Sequence, residues 1–144
     1  AEAIFLTQGF VSPTAEAAEA RFLKAGEDEF IYARYGNPTT RMFEERIAAI
    51  EGTEDAFSTA SGMAAVSGAL MSCLRAGDRV VSSRALFGSC LYVLEEVLQK
   101  FGVKVTFVDG ADLGQWRAAV TPGTKAVFFE SMSNPTLELV DIAS

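Results

Sequence analysis

A chain of 144 residues, 49% hydrophobic and 22% charged, has the size of one domain and enough apolar material to bury a core. It contains no histidine, which excludes a His-based triad, a His general base and every His-ligated zinc or iron site. Asp and Glu number 19 against 12 Lys and Arg, and the net charge of −7 opposes binding to nucleic acid.

The first forty residues carry no strong strand pattern. Ser12-Pro13 reads as a helix start, with Ser12 as cap and Pro13 in the first turn, and a short helix bearing Phe22 and Leu23 is expected to stop at Gly26. Glu27-Asp28-Glu29 reads as a solvated turn. Tyr32-Ala33-Arg34-Tyr35-Gly36-Asn37-Pro38-Thr39 follows as a loop punctuated by Gly and Asn-Pro. This part reads as an extended arm.

From Thr40 the pattern is regular. Phe43, Ile47 and Ile50 recur at helical spacing and Gly52 closes the segment. A short strand is expected over 55–59, then a helix from Ser61 with Met63, Val66, Leu70 and Leu74 on one face. Gly77-Asp78 turns the chain into a strand over 79–82. A longer helix over 87–101 presents Leu91, Leu94, Leu98 and Phe101 to the core. A strand over 103–108, a helix capped by Asp112 and a strand over 125–130 complete the alternation. Strands and helices in turn, with short connections, imply an α/β fold with an open, mainly parallel sheet. Four strands with so few helices leave such a sheet incompletely covered, and Val140-Asp141-Ile142-Ala143-Ser144 reads as the start of an apolar helix. The chain is therefore expected to be part of a longer one.

Cys73 and Cys90 form no C-x-x-C pair and read as small apolar residues on helix faces. There is no apolar run of the roughly 18 residues a membrane span needs and no targeting pattern, so the expectation is a reduced, cytoplasmic protein away from membranes.

In open α/β sheets a ligand sits beyond the carboxyl ends of the strands. Thr59-Ala60-Ser61-Gly62-Met63-Ala64-Ala65 there runs into a helix start of small residues, where free N–H groups and the helix dipole favour an anion. Gly62 either admits a phosphate or makes a tight turn. The segment is neither G-x-G-x-x-G nor a Walker A loop, and no G-x-S-x-G elbow occurs, which counts against a nicotinamide oxidoreductase and a serine hydrolase. Phe87 is either the first core residue of its helix or a flat ring for stacking on an aromatic ligand. Arg34, between two tyrosines, is a solvated charge or an anion clamp, and Asn134-Pro135 is a turn at a strand's end.

Together, Tyr32-Ala33-Arg34-Tyr35-Gly36-Asn37-Pro38-Thr39, Ser61-Gly62-Met63-Ala64-Ala65, Leu86-Phe87-Gly88-Ser89 and Glu130-Ser131-Met132-Ser133-Asn134-Pro135 are more specific than any one of them. In order and spacing they resemble the Cys/Met-metabolism pyridoxal-phosphate enzymes, which include cystathionine γ-synthase, cystathionine lyases, methionine γ-lyase and the homoserine-ester sulfhydrylases. Ser83-Arg84-Ala85-Leu86-Phe87-Gly88-Ser89-Cys90 is most similar to the family's sulfhydrylases of O-succinylhomoserine.

The resemblance implies the N-terminal part of an aspartate-aminotransferase-like (fold type I) domain that binds pyridoxal 5'-phosphate. Residues 1–40 would be an arm contacting a neighbouring subunit, and residues 41–144 the first part of the cofactor domain. The N–H groups of Gly62 and Met63 would hold the cofactor phosphate, with Tyr32 and Arg34 reaching it from the neighbouring subunit. Phe87 matches the family's ring-stacking tyrosine, and Asn134 the asparagine near the cofactor's phenolic oxygen. The assembly implied is a homotetramer of dimers that share active sites.

The implied reaction is γ-replacement: succinate leaves the γ-carbon of O-succinylhomoserine, sulfide adds, and homocysteine forms. Phe87 departs from the family pattern by lacking a hydroxyl. The Schiff-base lysine and the aspartate at the pyridine nitrogen are expected beyond Ser144, because none of Lys24, Lys100, Lys104 or Lys125 stands in that lysine's motif. The other readings are synthase or lyase chemistry of the same family, and a non-catalytic α/β assembly module.

Overall fold

The computed structural model describes residues 2–24, 26 and 29–143, and these fall into two compact units, one up to Ser58 and the other from Thr59. In the first unit, α1 (Ala15–Leu23) starts two residues later than Ser12-Pro13 suggests. Thr14 is its cap: the Thr14 hydroxyl accepts from the Ala17 N–H at 3.1 Å, while Ser12 Oγ accepts from the Arg21 guanidinium. The helix ends at Lys24, ahead of Gly26, whose N–H donates instead to Glu29 Oε2. Glu29 also pairs with Arg21 at 3.7 Å, whereas Glu27 and Asp28 lie outside the described residues.

The second helix, α2 (Pro38–Glu51), absorbs the Asn-Pro pair expected to lie in a loop. Proline in the first turn loses no helical bond, because that N–H would be unpaired anyway. Asn37 does two jobs here: its Oδ1 accepts from the Thr39 N–H at 2.8 Å, and its Nδ2 donates to the Phe5 carbonyl at 3.0 Å. The side chain that starts α2 thus also holds down the segment before α1. Gly52, at φ 67°, ends the helix in the left-handed conformation that glycine adopts without steric cost.

Residues 55–59 are not a strand. Their backbone donors go to side chains rather than to a ladder: Asp55 Oδ1 accepts from Ala56 N–H, and Glu44 Oε1 accepts from both the N–H and the hydroxyl of Ser58. Arg41 holds Asp55 in turn at 2.8 Å.

The second unit is a three-stranded parallel sheet of order β2-β1-β3, built from β1 (Arg79–Ser83), β2 (Lys104–Val108) and β3 (Thr124–Phe128). β1 lies at the centre, in register from Arg79 against Lys104 to Ser83 against Val108. Its run Val80-Val81-Ser82-Ser83 is buried throughout, as a strand covered on both faces requires.

On one face, Val80, Val105, Phe107, Ala126 and Phe128 pack with α3 (Gly62–Cys73) and with a long helical segment after β1. That segment comprises α4 (Gly88–Tyr92), a π-helical turn (Val93–Val97) and α5 (Leu98–Lys100). In the π turn the Leu98 N–H reaches back to the Val93 carbonyl. The extra residue brings Cys90, Val93, Leu94 and Leu98 all into the core. Phe101, expected inside, is 58% exposed: it is the last cap residue, and Gly102 at φ 80° turns the chain at once toward β2.

The helix α6 (Leu113–Ala119) follows β2, and its Trp116 meets Phe129 edge-on, ring centroids 6.2 Å apart. Asp112 caps it, Oδ1 accepting from the N–H groups of Gly114 and Gln115. Met132 and Leu139 form an isolated antiparallel bridge beyond β3. Among the described residues no helix is long and apolar enough to cross a membrane.

Candidate functional site

Four of the six residues singled out from the sequence lie in the second unit, near the carboxyl end of the sheet. Ser61 caps α3, its hydroxyl accepting from the Ala64 N–H at 3.1 Å, and its carbonyl accepts from Ala65. That leaves the first two helical N–H groups, those of Gly62 and Met63, without an acceptor among the described residues. A Cβ built on Gly62 would meet nothing within 4 Å. Two free donors, the positive end of a helix dipole and open space over a glycine suit an anion with several oxygens.

Phe87 is the residue before α4, with φ −54° and ψ 132°, and it is 44% exposed. It is not a core residue. Of its two readings the core one fails: the core here is formed by Leu86 and Cys90, both buried. Asn134 is exposed and joined to Pro135 by a cis peptide bond.

Sequence reading assigned no role to Glu130, yet its carboxylate bridges these two residues. Oε1 accepts from the Phe87 N–H at 2.8 Å, and Oε2 accepts from the Asn134 N–H at 3.0 Å. The bridge spans the boundary between β1 and β3. Connections leave that boundary in opposite senses, since β1 leads to β2 on one side and β2 leads back to β3 on the other. Such switch points are where open α/β sheets form crevices for ligands. No local signal in the sequence points to Glu130: the helix after Phe87 has no capping side chain of its own, and the acceptor for the Phe87 N–H comes from 43 residues further along the chain.

Cys90, one turn into this helix, donates its thiol to Met63 Sδ at 4.0 Å, which links the starts of α3 and α4. Burial pushes the Cys90 thiol above its ordinary pKa, and the Glu130 carboxylate adds to the effect. Buried and directed at Met63, Cys90 serves as a packing group. Cys73, by contrast, is exposed.

Tyr32 and Arg34 belong to the first unit. Tyr32 bridges to Gly9 in antiparallel fashion, and its hydroxyl lies 3.4 Å from Gln8 Oε1. The Arg34 guanidinium lies over two rings, 5.5 Å from the Tyr32 centroid and 5.0 Å from that of Tyr35. It lines a cleft of about 540 Å³ within this unit together with Arg41, Glu44 and Asp55. Arg41 is engaged by Asp55 and Glu45, whereas Arg34 has no carboxylate partner among the described residues. Stacking on tyrosine orients a guanidinium and leaves its donors free for an anion.

The chain is similar to known proteins over nearly its whole length. O-succinylhomoserine sulfhydrylase of Mycobacterium tuberculosis (strain H37Rv) is 55% identical over 145 residues, which cover 100% of this chain and 35% of the relative. O-succinylhomoserine sulfhydrylase of Pseudomonas aeruginosa is 49% identical, covering 99% of the chain and 35% of the relative. L-methionine gamma-lyase of Porphyromonas gingivalis is 41% identical, covering 96% and 35%. The chain thus spans about a third of the length of the curated relatives it matches.

Two crystal structures superpose with a TM-score of 0.84. One, assigned as an O-acetylhomoserine (thiol)-lyase from Campylobacter jejuni and holding N'-pyridoxyl-lysine-5'-monophosphate, is 33% identical and covers 97% of this chain and 34% of that one. The other, metB from Corynebacterium glutamicum, is 27% identical and covers 98% and 34%. The match to the family model of Cys/Met metabolism PLP-dependent enzymes runs over residues 1–144, and the chain belongs to that family.

Proposed function

We propose that this chain is the N-terminal part of a pyridoxal-phosphate-dependent sulfhydrylase that makes homocysteine from O-succinylhomoserine and sulfide. The observation that carries the reading is the start of α3, where two N–H groups lack acceptors and the space over Gly62 is open. The donor set fits a phosphate monoester, and identities of 55% and 49% to two O-succinylhomoserine sulfhydrylases support the substrate.

In this reading the N–H groups of Gly62 and Met63 bind the cofactor phosphate and fix its depth. Tyr32 and Arg34 approach that phosphate from a neighbouring subunit, as the residue-by-residue resemblance implies. The Phe87 ring, half-exposed beside the switch point, stacks on the pyridine ring and keeps water from that face. Asn134 would lie near the phenolic oxygen, as the resemblance implies. When bound, the cofactor supplies an electron sink that acidifies the substrate's α- and β-hydrogens. Phe87 has no hydroxyl and can move no proton, so proton transfer falls to groups outside these residues, the cofactor-bearing lysine first among them.

The complete enzyme is read as a homotetramer of dimers that share sites, and both cysteines, free here, agree with a reducing cytoplasm. A second reading, methionine γ-lyase, rests on 41% identity to such an enzyme and differs in expelling a thiol without replacing it. One experiment separates these. Full-length protein should be yellow with bound pyridoxal phosphate and should release succinate and form homocysteine from O-succinylhomoserine and sulfide. Ketobutyrate and methanethiol from methionine as the main products would favour the lyase, and a protein that takes up no pyridoxal phosphate would be an assembly module.

A further inference from the structure

The loop after β1 and the segment after β3 are joined by a single side chain. Both oxygens of Glu130 are used, one on the N–H of Phe87 and the other on the N–H of Asn134. Neither of those residues is buried. Where a side chain lacks a packed socket, the hydrogen bonds of its own backbone set its position.

Nothing local can take over the part played by Glu130. In a capping box the third helical residue accepts the N–H of the cap residue. Here that residue is Cys90, buried and already directed at Met63, and no side chain caps α4. The carboxylate therefore arrives from a position 43 residues further along the chain, at the positive end of the helix that starts at Gly88.

We propose that Glu130 is the positioning residue of the cofactor-ring subsite: by holding both backbones at once it fixes the Phe87 ring and the Asn134 side chain relative to each other. The inference rests on the proposed roles of Phe87 and Asn134 as ring contacts. Glu130 touches neither cofactor nor substrate in this scheme. It acts through the two residues that do.

The test uses full-length protein and the variants Glu130→Gln and Glu130→Ala. Glutamine keeps the size and one acceptor but turns an N–H₂ donor toward one of the two N–H groups. Apoenzyme is titrated with pyridoxal phosphate well below the unfolding temperature of every variant, and the visible circular dichroism of the bound cofactor is recorded. Glu130→Gln should bind the cofactor about tenfold more weakly, the loss expected for one disrupted charge-assisted hydrogen bond, Glu130→Ala, which loses both bonds, should bind it at least as weakly, and both should change the dichroic band. If Glu130→Ala fails to fold, Glu130→Gln decides. Wild-type affinity together with an unchanged band in Glu130→Gln, even with a lower melting temperature, would reduce Glu130 to a support of the fold and overturn the proposal. A wild-type protein that binds no pyridoxal phosphate would overturn the functional reading as well, and that outcome is distinct.

Discussion

Gly110, just beyond β2, lies so close against Ser83, the last residue of β1, that a Cβ on Gly110 would stand 2.5 Å from Ser83 Oγ and 3.1 Å from Val140 Cγ2. The Ser83 hydroxyl has little room to retreat, because it is buried and accepts from the Ala85 N–H. Gly110→Ala should lower stability by about 1–3 kcal/mol, the usual cost of overpacking. Removing the obstructing oxygen with Ser83→Ala should make the double variant more stable than the sum of the two single losses. Urea denaturation of all four proteins measures this, and strict additivity would show that the two residues do not press on each other.

Gly62 is the opposite case. Its missing side chain leaves open space, and no positive φ demands a glycine there. Gly62→Val should therefore leave the unfolding free energy within about 0.5 kcal/mol, as at an ordinary exposed position. The same substitution places a branched side chain where the phosphate approaches, and cofactor occupancy should collapse. Retained occupancy in a normally folded variant would remove the anion from the start of α3.

Arg34 has tyrosine rings for neighbours and no carboxylate partner among the described residues. Arg34→Ala should weaken pyridoxal-phosphate binding by roughly 2 kcal/mol, about thirtyfold, the value of hydrogen bonds to a charged group. If the residue serves a neighbouring subunit's phosphate, mixing Arg34→Ala subunits with Gly62→Val subunits should restore some competent sites. Occupancy in the mixture no higher than in either parent would place Arg34 elsewhere.

Asp112 accepts from the N–H groups of Gln115 and Gly114 and from the Gln115 side chain, and these bonds hold its carboxyl below the ordinary value of 3.8. A depressed pKa means that the charged form is favoured by the fold. Its stabilising contribution is complete above pH 3.8 and is lost as pH falls through the lower folded value. The difference in melting temperature between wild type and Asp112→Ala should accordingly shrink below pH 4. A constant difference down to pH 2 would show that the cap does not depend on its charge.

How much of this could be read from the sequence depended on how local the cause was. Ser61 and Asp112 announce their helices because each cap hydrogen-bonds within its own first turn. Val80 and Val81 declare a doubly covered strand by composition alone. Thr14 displaced Ser12 as a cap because two hydroxyls two residues apart compete, and the decision lies in what Arg21 does with the loser. Residues 55–59 look like a strand by hydrophobicity, but a strand is defined by a neighbour, and here Glu44 and Asp55 take the donors a neighbour would have used. At the site, the residue types at Gly62 and Phe87 were legible as a binding surface. The Glu130 bridge was not, since its partners lie 43 and 4 residues away and no periodicity connects them.

The sheet order also carries a consequence for synthesis. β1 emerges from the ribosome before either of its neighbours, so Val80 has no partner until Val105 and then Ala126 have been translated. Until then a strand with Val80 and Val81 at its centre stands with both edges open, and the nascent chain depends on α3 and on the helix after β1 to shield one face. Ribosome stalling that exposes β1 while β2 is still inside the exit tunnel should therefore leave a protease-sensitive, chaperone-bound intermediate, and release past β3 should close it.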